Sequence, residues 1–215
     1  MTCRGGQPLF LVGFMGCGKT TLGQALATFL GIPFADLDDE ICRRVGADSV
    51  NDIFARQGEA AFRALETETL RDIVQTSANA DTQPEDTSAA ASKSGMTVSD
   101  ARQTTSPATP SAIIACGGGT PCHAGNMDMM LQGGTVVWLD ADEDHLVQRL
   151  TIYGDSRPLV RNLDPEQLRR YIQQTLAQRS AYYGRAHARF DSSRLEDAEQ
   201  VAASVRTFID TVILF

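Results

Sequence analysis

Leu9-Phe10-Leu11-Val12, followed directly by Gly13-Phe14-Met15-Gly16-Cys17-Gly18-Lys19-Thr20, decides the reading of this chain. The four apolar residues suit a short buried strand. The eight after them fit G-x-x-x-x-G-K-[ST], a pattern whose glycines let the backbone turn sharply and aim N–H groups at phosphate oxygens. Beyond Thr20, Leu22, Leu26 and Leu30 recur at helical spacing until Gly31 and Pro33 end the run. Strand, glycine loop and helix in that order make a phosphate cradle, because the helix start adds its positive dipole end. Lys19 is expected to reach the β- and γ-phosphates of a nucleotide, and the Thr20 hydroxyl to ligate Mg²⁺. The bland alternative is a glycine-rich turn with no ligand.

Outward from this loop, strands and helices alternate. Phe34-Ala35 reads as a second strand running into the acidic cluster Asp36-Leu37-Asp38-Asp39-Glu40. Such a strand is expected to lie beside the first. Val50 to Gln57 and Glu59 to Val74 read as helices. Ile113-Ile114-Ala115-Cys116 is a third strand, entering Gly117-Gly118-Gly119, and Thr135 to Leu139 a fourth. Helical spacing returns around Leu146, Val147 and Leu150, over Pro165 to Tyr182, and from about Leu195 to Ile213. The alternation predicts an α/β fold with a parallel sheet covered on both faces. Ser77 to Pro110 breaks the pattern. It is rich in Ser, Thr, Ala, Asp and Gln, with Met96 and Val98 its only large apolar residues. Such composition cannot bury enough surface to offset its ordering entropy, so residues 77–110 are expected to be a disordered insertion.

Bulk composition narrows the partners. The 215 residues are 42% apolar, enough for a full core, and carry a formal net charge of −8. An acidic chain is a poor match for nucleic acid or an anionic membrane, both of which need a basic face. No stretch approaches the roughly 20 apolar residues of a membrane helix. The start of the chain lacks the features of a secretory signal, so a cytoplasmic protein is expected. The five cysteines, Cys3, Cys17, Cys42, Cys116 and Cys122, are odd in number and scattered, which suggests free thiols. Cys116, Cys122 and His123 match no common zinc spacing.

The loop names a phosphoryl donor and leaves the acceptor open. Asp36 and Asp38 are two apart, so on an extended segment they would face one way, one toward Mg²⁺ and one toward a substrate hydroxyl. Equally, Asp38, Asp39 and Glu40 would suit the start of a helix. Three successive glycines after a strand point to close approach of a ligand rather than to a plain turn. Arg63 and Arg179 lie on predicted helices, where a surface ion pair is the ordinary reading. Ser156-Arg157-Pro158-Leu159 lies in a polar stretch between helices, the usual place for a lid.

Taken in order, GFMGCGKTTLGQALA, FADLDDEI, IFARQGEAAFRALE, GGGT, DSRPL and QRSAYY resemble the shikimate kinase family of small phosphate-loop kinases. The resemblance runs from Leu9 to about Ile209, interrupted by the insertion. It implies a three-layer fold over residues 1–215, with a central parallel five-stranded sheet, helices on both faces and a lid at residues 151–163. It implies ATP as donor, bound by Gly13, Gly16, Cys17, Gly18, Lys19, Thr20, Thr21 and Arg157. Mg²⁺ would be held by Thr20 and Asp36. Lys19, Asp38 and Arg157 would be catalytic. Shikimate would be held by Asp38, Arg63, Gly117, Gly118, Gly119 and Arg179. Arg149 is the nearest candidate for the family arginine that packs on adenine. A monomer is expected. The competing readings are a sister kinase such as gluconate kinase, and a nucleotide-binding module without turnover.

Overall fold

The structure is a computed structural model that describes residues 3–80, 109–153 and 159–214. Five parallel strands form its centre: β1 (Leu9–Val12), β2 (Phe34–Asp36), β3 (Ile113–Ala115), β4 (Thr135–Asp140) and β5 (Ala188–Asp191). Their order is β2-β3-β1-β4-β5. The second strand therefore does not pair with the first, as the sequence suggested it would. Strand β3 separates them, with Ile113 in register with both Leu9 and Phe34. Burial explains the exchange. All three residues of β3 are buried, as an interior strand requires, whereas those of β2 are half-buried and suit an edge.

Side chains alternate between the two faces of the sheet. Leu9 and Leu11 of β1, with Val137 and Leu139 of β4, join one apolar cluster. Leu22 and Leu26 of α1 (Lys19–Leu30) and Val205 and Phe208 of α7 (Ala198–Phe208) complete it. Phe10 and Val12, with Val136 and Trp138, face the other way. They meet Leu70 of α3 (Val50–Ala80) and Met127 and Met130 of α4 (Asn126–Gly133). A third cluster, Leu37, Ile41, Ile53 and Phe62, joins α2 (Leu37–Val45) to α3. Helices α5 (Glu143–Tyr153) and α6 (Pro165–Tyr183) complete the set, and a π-helical turn over Ile209–Ile213 follows α7.

Local chemistry fixes the ends. Asp36 caps α2 by accepting from the Asp38 N–H at 3.1 Å. Acidic residues fill the first turn of α2, and Arg43 and Arg44 its last, which matches the helix dipole at both ends. Asp164 and Gln167 form a reciprocal capping box on α6. Helix α3 is broken at Gly58 (φ 82°, ψ 169°), between the two helical stretches expected there. It then continues through Ala80, into the stretch expected to be insertion. The Ser77 hydroxyl donates to the Ile73 carbonyl at 3.0 Å, which suits an added helical turn. The rest of the expected insertion up to residue 108, and residues 154–158 of the expected lid, lie outside the described residues. Among the described residues no helix is long and apolar enough to cross a membrane.

Strand β5 and helix α4 have no clear sequence signal. In β5 only Phe190 is buried, so the strand lacks an apolar run. Arg189 lies over the Trp138 ring, 4.8 Å from its centroid, and donates to Asp140, which covers the end of β4.

His187 sits at the entry to β5. Its backbone N–H donates to the Val136 carbonyl at 2.9 Å, and its imidazole Nδ1 accepts from the Val136 N–H at 3.0 Å. Burial, aided by the nearby Arg4 charge, holds the imidazole below its usual pKa of 6.5. An unprotonated Nδ1 is required, so this contribution to stability is present above about pH 6.5 and is lost as pH falls through the lower folded value. His187→Asn keeps an acceptor that does not titrate. Melting curves between about pH 5 and 8 should show wild type losing Tm relative to this variant on acidification. A constant difference across that range would contradict the assignment.

Candidate active site

The carboxyl ends of β1, β2 and β3 open into one cleft of ≈ 580 Å³. The loop after β1 forms its floor. Gly13 has φ 144°, and a Cβ there would stand 2.3 Å from the Leu139 carbonyl oxygen, so the loop can pass this close to β4 only as glycine. Gly18 precedes α1 with φ 91°, and a Cβ there would strike Leu195 Cδ1 at 2.3 Å. Gly16, Gly18, Lys19, Thr20 and Thr21 line the cleft. Cys17 does not: its side chain is buried, and its N–H donates back to the Phe14 carbonyl at 3.2 Å.

The Lys19 ammonium donates to the carbonyls of Gly13 (3.0 Å) and Phe14 (2.9 Å). The Thr20 hydroxyl donates to Asp36 Oδ2 at 3.0 Å. A hydroxyl and a carboxylate oxygen are the hard donors Mg²⁺ prefers, with water and phosphate oxygens completing its shell. These two residues therefore fit that ion.

Asp36 and Asp38 do not share an extended segment, because the strand ends at Asp36 and helix α2 begins at Leu37. The acidic helix start is the arrangement found, and it still brings both carboxylates into the cleft. Asp38 Oδ1 is buried with no hydrogen-bond partner among the described residues. Burial, then the charges of Asp36 and Glu66, push this carboxyl from 3.8 up to about 6, against the opposing pull of Lys19 and Arg63. An orphaned acceptor of that basicity suits a hydroxyl proton.

The glycine triplet is a crossroads for charge. A Cβ on Gly117 would lie 3.1 Å from Asp38 Oδ1 and 3.2 Å from Glu66 Oε1. One on Gly118 would lie 3.3 Å from Arg179 Nη1, and one on Gly119 3.0 Å from the Arg63 guanidinium. The ends of four charged side chains crowd the turn, so a Cβ at any of the three glycines would press on one of them. Arg63 and Arg179 thus lie against the glycine turn, next to the cleft that Gly117 and Gly118 line. Glu66 is fully buried, and sequence reasoning missed it. It accepts from Arg63 Nη1 at 3.0 Å and from the Thr120 hydroxyl. Arg63 also reaches the exposed Glu59 at 3.3 Å. The one signal for Glu66 is its position three residues after Arg63 on the same helix.

Arg149 lines the far side of the cleft. Its guanidinium donates to the carbonyls of Gly16 (3.2 Å), Ser192 (3.1 Å) and Ser193 (2.7 Å) and pairs with Glu196. It ties the phosphate loop to the segment after β5, a role that its position on α5 does not reveal. Arg157 lies outside the described residues.

Comparisons with known proteins agree with this geometry. A family model described as Shikimate kinase matches residues 15–80 and 101–210. The chain is 34% identical over 198 residues to a shikimate kinase of Bacteroides fragilis, covering 92% of each sequence. It is 34% identical over 208 residues to one of Flavobacterium johnsoniae, covering 96% of this chain and 95% of that one. Among solved structures, it is similar to a shikimate kinase from Bacteroides thetaiotaomicron, with TM-score 0.75 and 31% identity, covering 95% of this chain and 97% of the other. It is also similar to a shikimate kinase from Acinetobacter baumannii in complex with shikimate, with TM-score 0.66 and 27% identity, covering 94% and 91%. The chain belongs to the shikimate kinase family.

Proposed function

We propose that this kinase transfers the γ-phosphoryl group of ATP to the 3-hydroxyl of shikimate, giving shikimate 3-phosphate and ADP for aromatic amino acid synthesis. One observation carries the reading: a single cleft joins a complete phosphate loop to a buried, basic Asp38 beside a glycine turn flanked by two arginines. Shikimate is a small ring with a carboxylate and several hydroxyls. Guanidinium groups pair with carboxylate in an oriented, two-point way, so Arg63 and Arg179 would hold that end. Asp38 and the backbone of Gly117, Gly118 and Gly119 would receive the hydroxyls.

The donor end follows from the loop. Backbone N–H groups around Gly16, Gly18, Thr20 and Thr21 would cradle the phosphates, with Gly13 and Cys17 shaping the turn. Lys19 would exchange its carbonyl partners for phosphate oxygens. Thr20, and Asp36 behind it, would hold Mg²⁺, which neutralises phosphate charge when bound. Asp38 would take the hydroxyl proton, and its raised pKa leaves it ionised yet basic near neutral pH. Arg157 on the lid would complete the charge stabilisation around the moving phosphoryl group. Phosphoryl transfer needs little beyond this alignment and charge balance. A cytoplasmic location and a monomeric state accompany this reading, and the five free thiols suit the first of these.

The two arginines test the acceptor assignment. Arg179→Ala and Arg63→Lys should each raise the shikimate KM about 10- to 100-fold while the ATP KM stays nearly unchanged. Lysine is chosen at 63 because removing the cation would strand the buried Glu66 carboxylate. A matched loss for ATP would contradict the roles.

Asp38 offers a second test. Its folded pKa of about 6 exceeds the ordinary 3.8, so the folded state holds the proton more tightly than the unfolded chain. That contribution is fully present below 3.8 and is lost as pH rises through about 6. Asp38→Asn should therefore melt above wild type at about pH 7.5, converge with it below about pH 4, and lose turnover about 100-fold or more. A variant less stable than wild type at neutral pH would contradict the burial argument.

A further inference from the structure

Tyr183 ends α6 one helical turn after Arg179, so the two side chains share a stripe of that helix. The Tyr183 ring has no exposed surface. It packs on Trp138, centroids 5.8 Å apart, among Phe10, Val12, Met127 and Met130. A phenylalanine would fill that space equally well, so packing does not account for the hydroxyl. The hydroxyl donates to the Gly118 carbonyl oxygen at 2.5 Å. Burial holds the phenol above its usual pKa despite the charge of Arg179 and a hydrogen bond with its guanidinium, so the group stays a donor.

The three carbonyls of the glycine triplet are each held. Gly117 accepts from the Thr120 N–H and Gly119 from the Cys122 N–H, both at 3.0 Å. Gly118, the middle one, is held by a side chain from another element. Without that bond, a peptide between two glycines could rotate at little steric cost. In a trans peptide the carbonyl and the following N–H point in opposite directions. Drawing the Gly118 carbonyl into the core therefore aims the Gly119 N–H away from it. Among the described residues the Gly118 and Gly119 N–H groups have no backbone acceptor. Arg179 Nη1 lies over Gly118, 3.3 Å from where a Cβ would be.

We propose that the Tyr183 hydroxyl is a positioning group for the acceptor site: it fixes the Gly118–Gly119 peptide and, through it, the wall against which Arg179 receives the acceptor carboxylate. The inference rests on the shikimate reading above. It adds a residue that touches neither substrate and acts through the glycine turn and the neighbouring Arg179.

Tyr183→Phe removes one oxygen and keeps the ring. Steady-state kinetics on the full chain should show the shikimate KM raised about tenfold, with the ATP KM within about twofold of wild type and Tm lowered by only a few degrees. A merely structural role would instead move Tm and both KM values together. An unchanged shikimate KM, a matched rise in both KM values, or a variant that does not fold overturns the proposal. Wild-type protein that turns over no shikimate removes the reading beneath it, and that control is read first.

Discussion

The insertion of β3 between β1 and β2 is the constraint on which the site depends. With β3 in that place, the loop after β1 and the glycine triplet after β3 emerge side by side, and Asp36 ends the next strand over. Ligands of open parallel sheets gather at the carboxyl ends of the strands, where such loops diverge. Here the phosphate loop hangs from β1, and Asp36, Asp38 and the glycine triplet follow from the ends of β2 and β3. One cleft serves both because the strands are neighbours. The three buried residues of β3, Ile113, Ile114 and Ala115, thus anchor the glycine turn around which the charged groups gather.

Charge balance around the triplet sets the second level of organisation. The charges of Lys19 and Arg63 oppose those of Asp36 and Glu66 around Asp38, and Asp38, Arg63 and Glu66 all border the glycine turn. Glu66 is buried and stays tolerable because Arg63 and Thr120 satisfy it. In turn it adds to the burial that raises Asp38. In the proposed reading one buried group thus serves both ends of the acceptor, orienting Arg63 for its carboxylate and helping to raise Asp38 for its hydroxyl. The cost is an ionised Asp38 that the folded protein tolerates poorly at neutral pH, a common trade of stability for function.

Much of this is legible in the amino-acid sequence. The phosphate loop is a local pattern, and Lys19 and Thr20 are where it puts them. The buried strands are short apolar runs, and Gly58 divides α3 at the expected residue. What stays hidden is non-local. Strand β5 is an edge with one buried side chain, so periodicity has nothing to show there. The order of β2 and β3 depends on pairing across residues far apart in the chain. Arg63 and Arg179 look like surface residues on their own helices, and family resemblance singles them out. Their approach to the glycine turn arises only when α3 and α6 are packed. Glu66, Tyr183 and the tie made by Arg149 are invisible to spacing for the same reason, because their partners lie on other elements.

The most direct test of this account is ADP release from Mg²⁺ and ATP with shikimate, gluconate, AMP or no acceptor supplied in parallel. Two arginines on a glycine turn beside a buried carboxylate predict release that depends on shikimate and is near background with the other three. Release driven by gluconate or AMP would keep the phosphate loop and contradict the acceptor site. Equal release in every vessel would contradict the joining of the two halves of the cleft into one reaction.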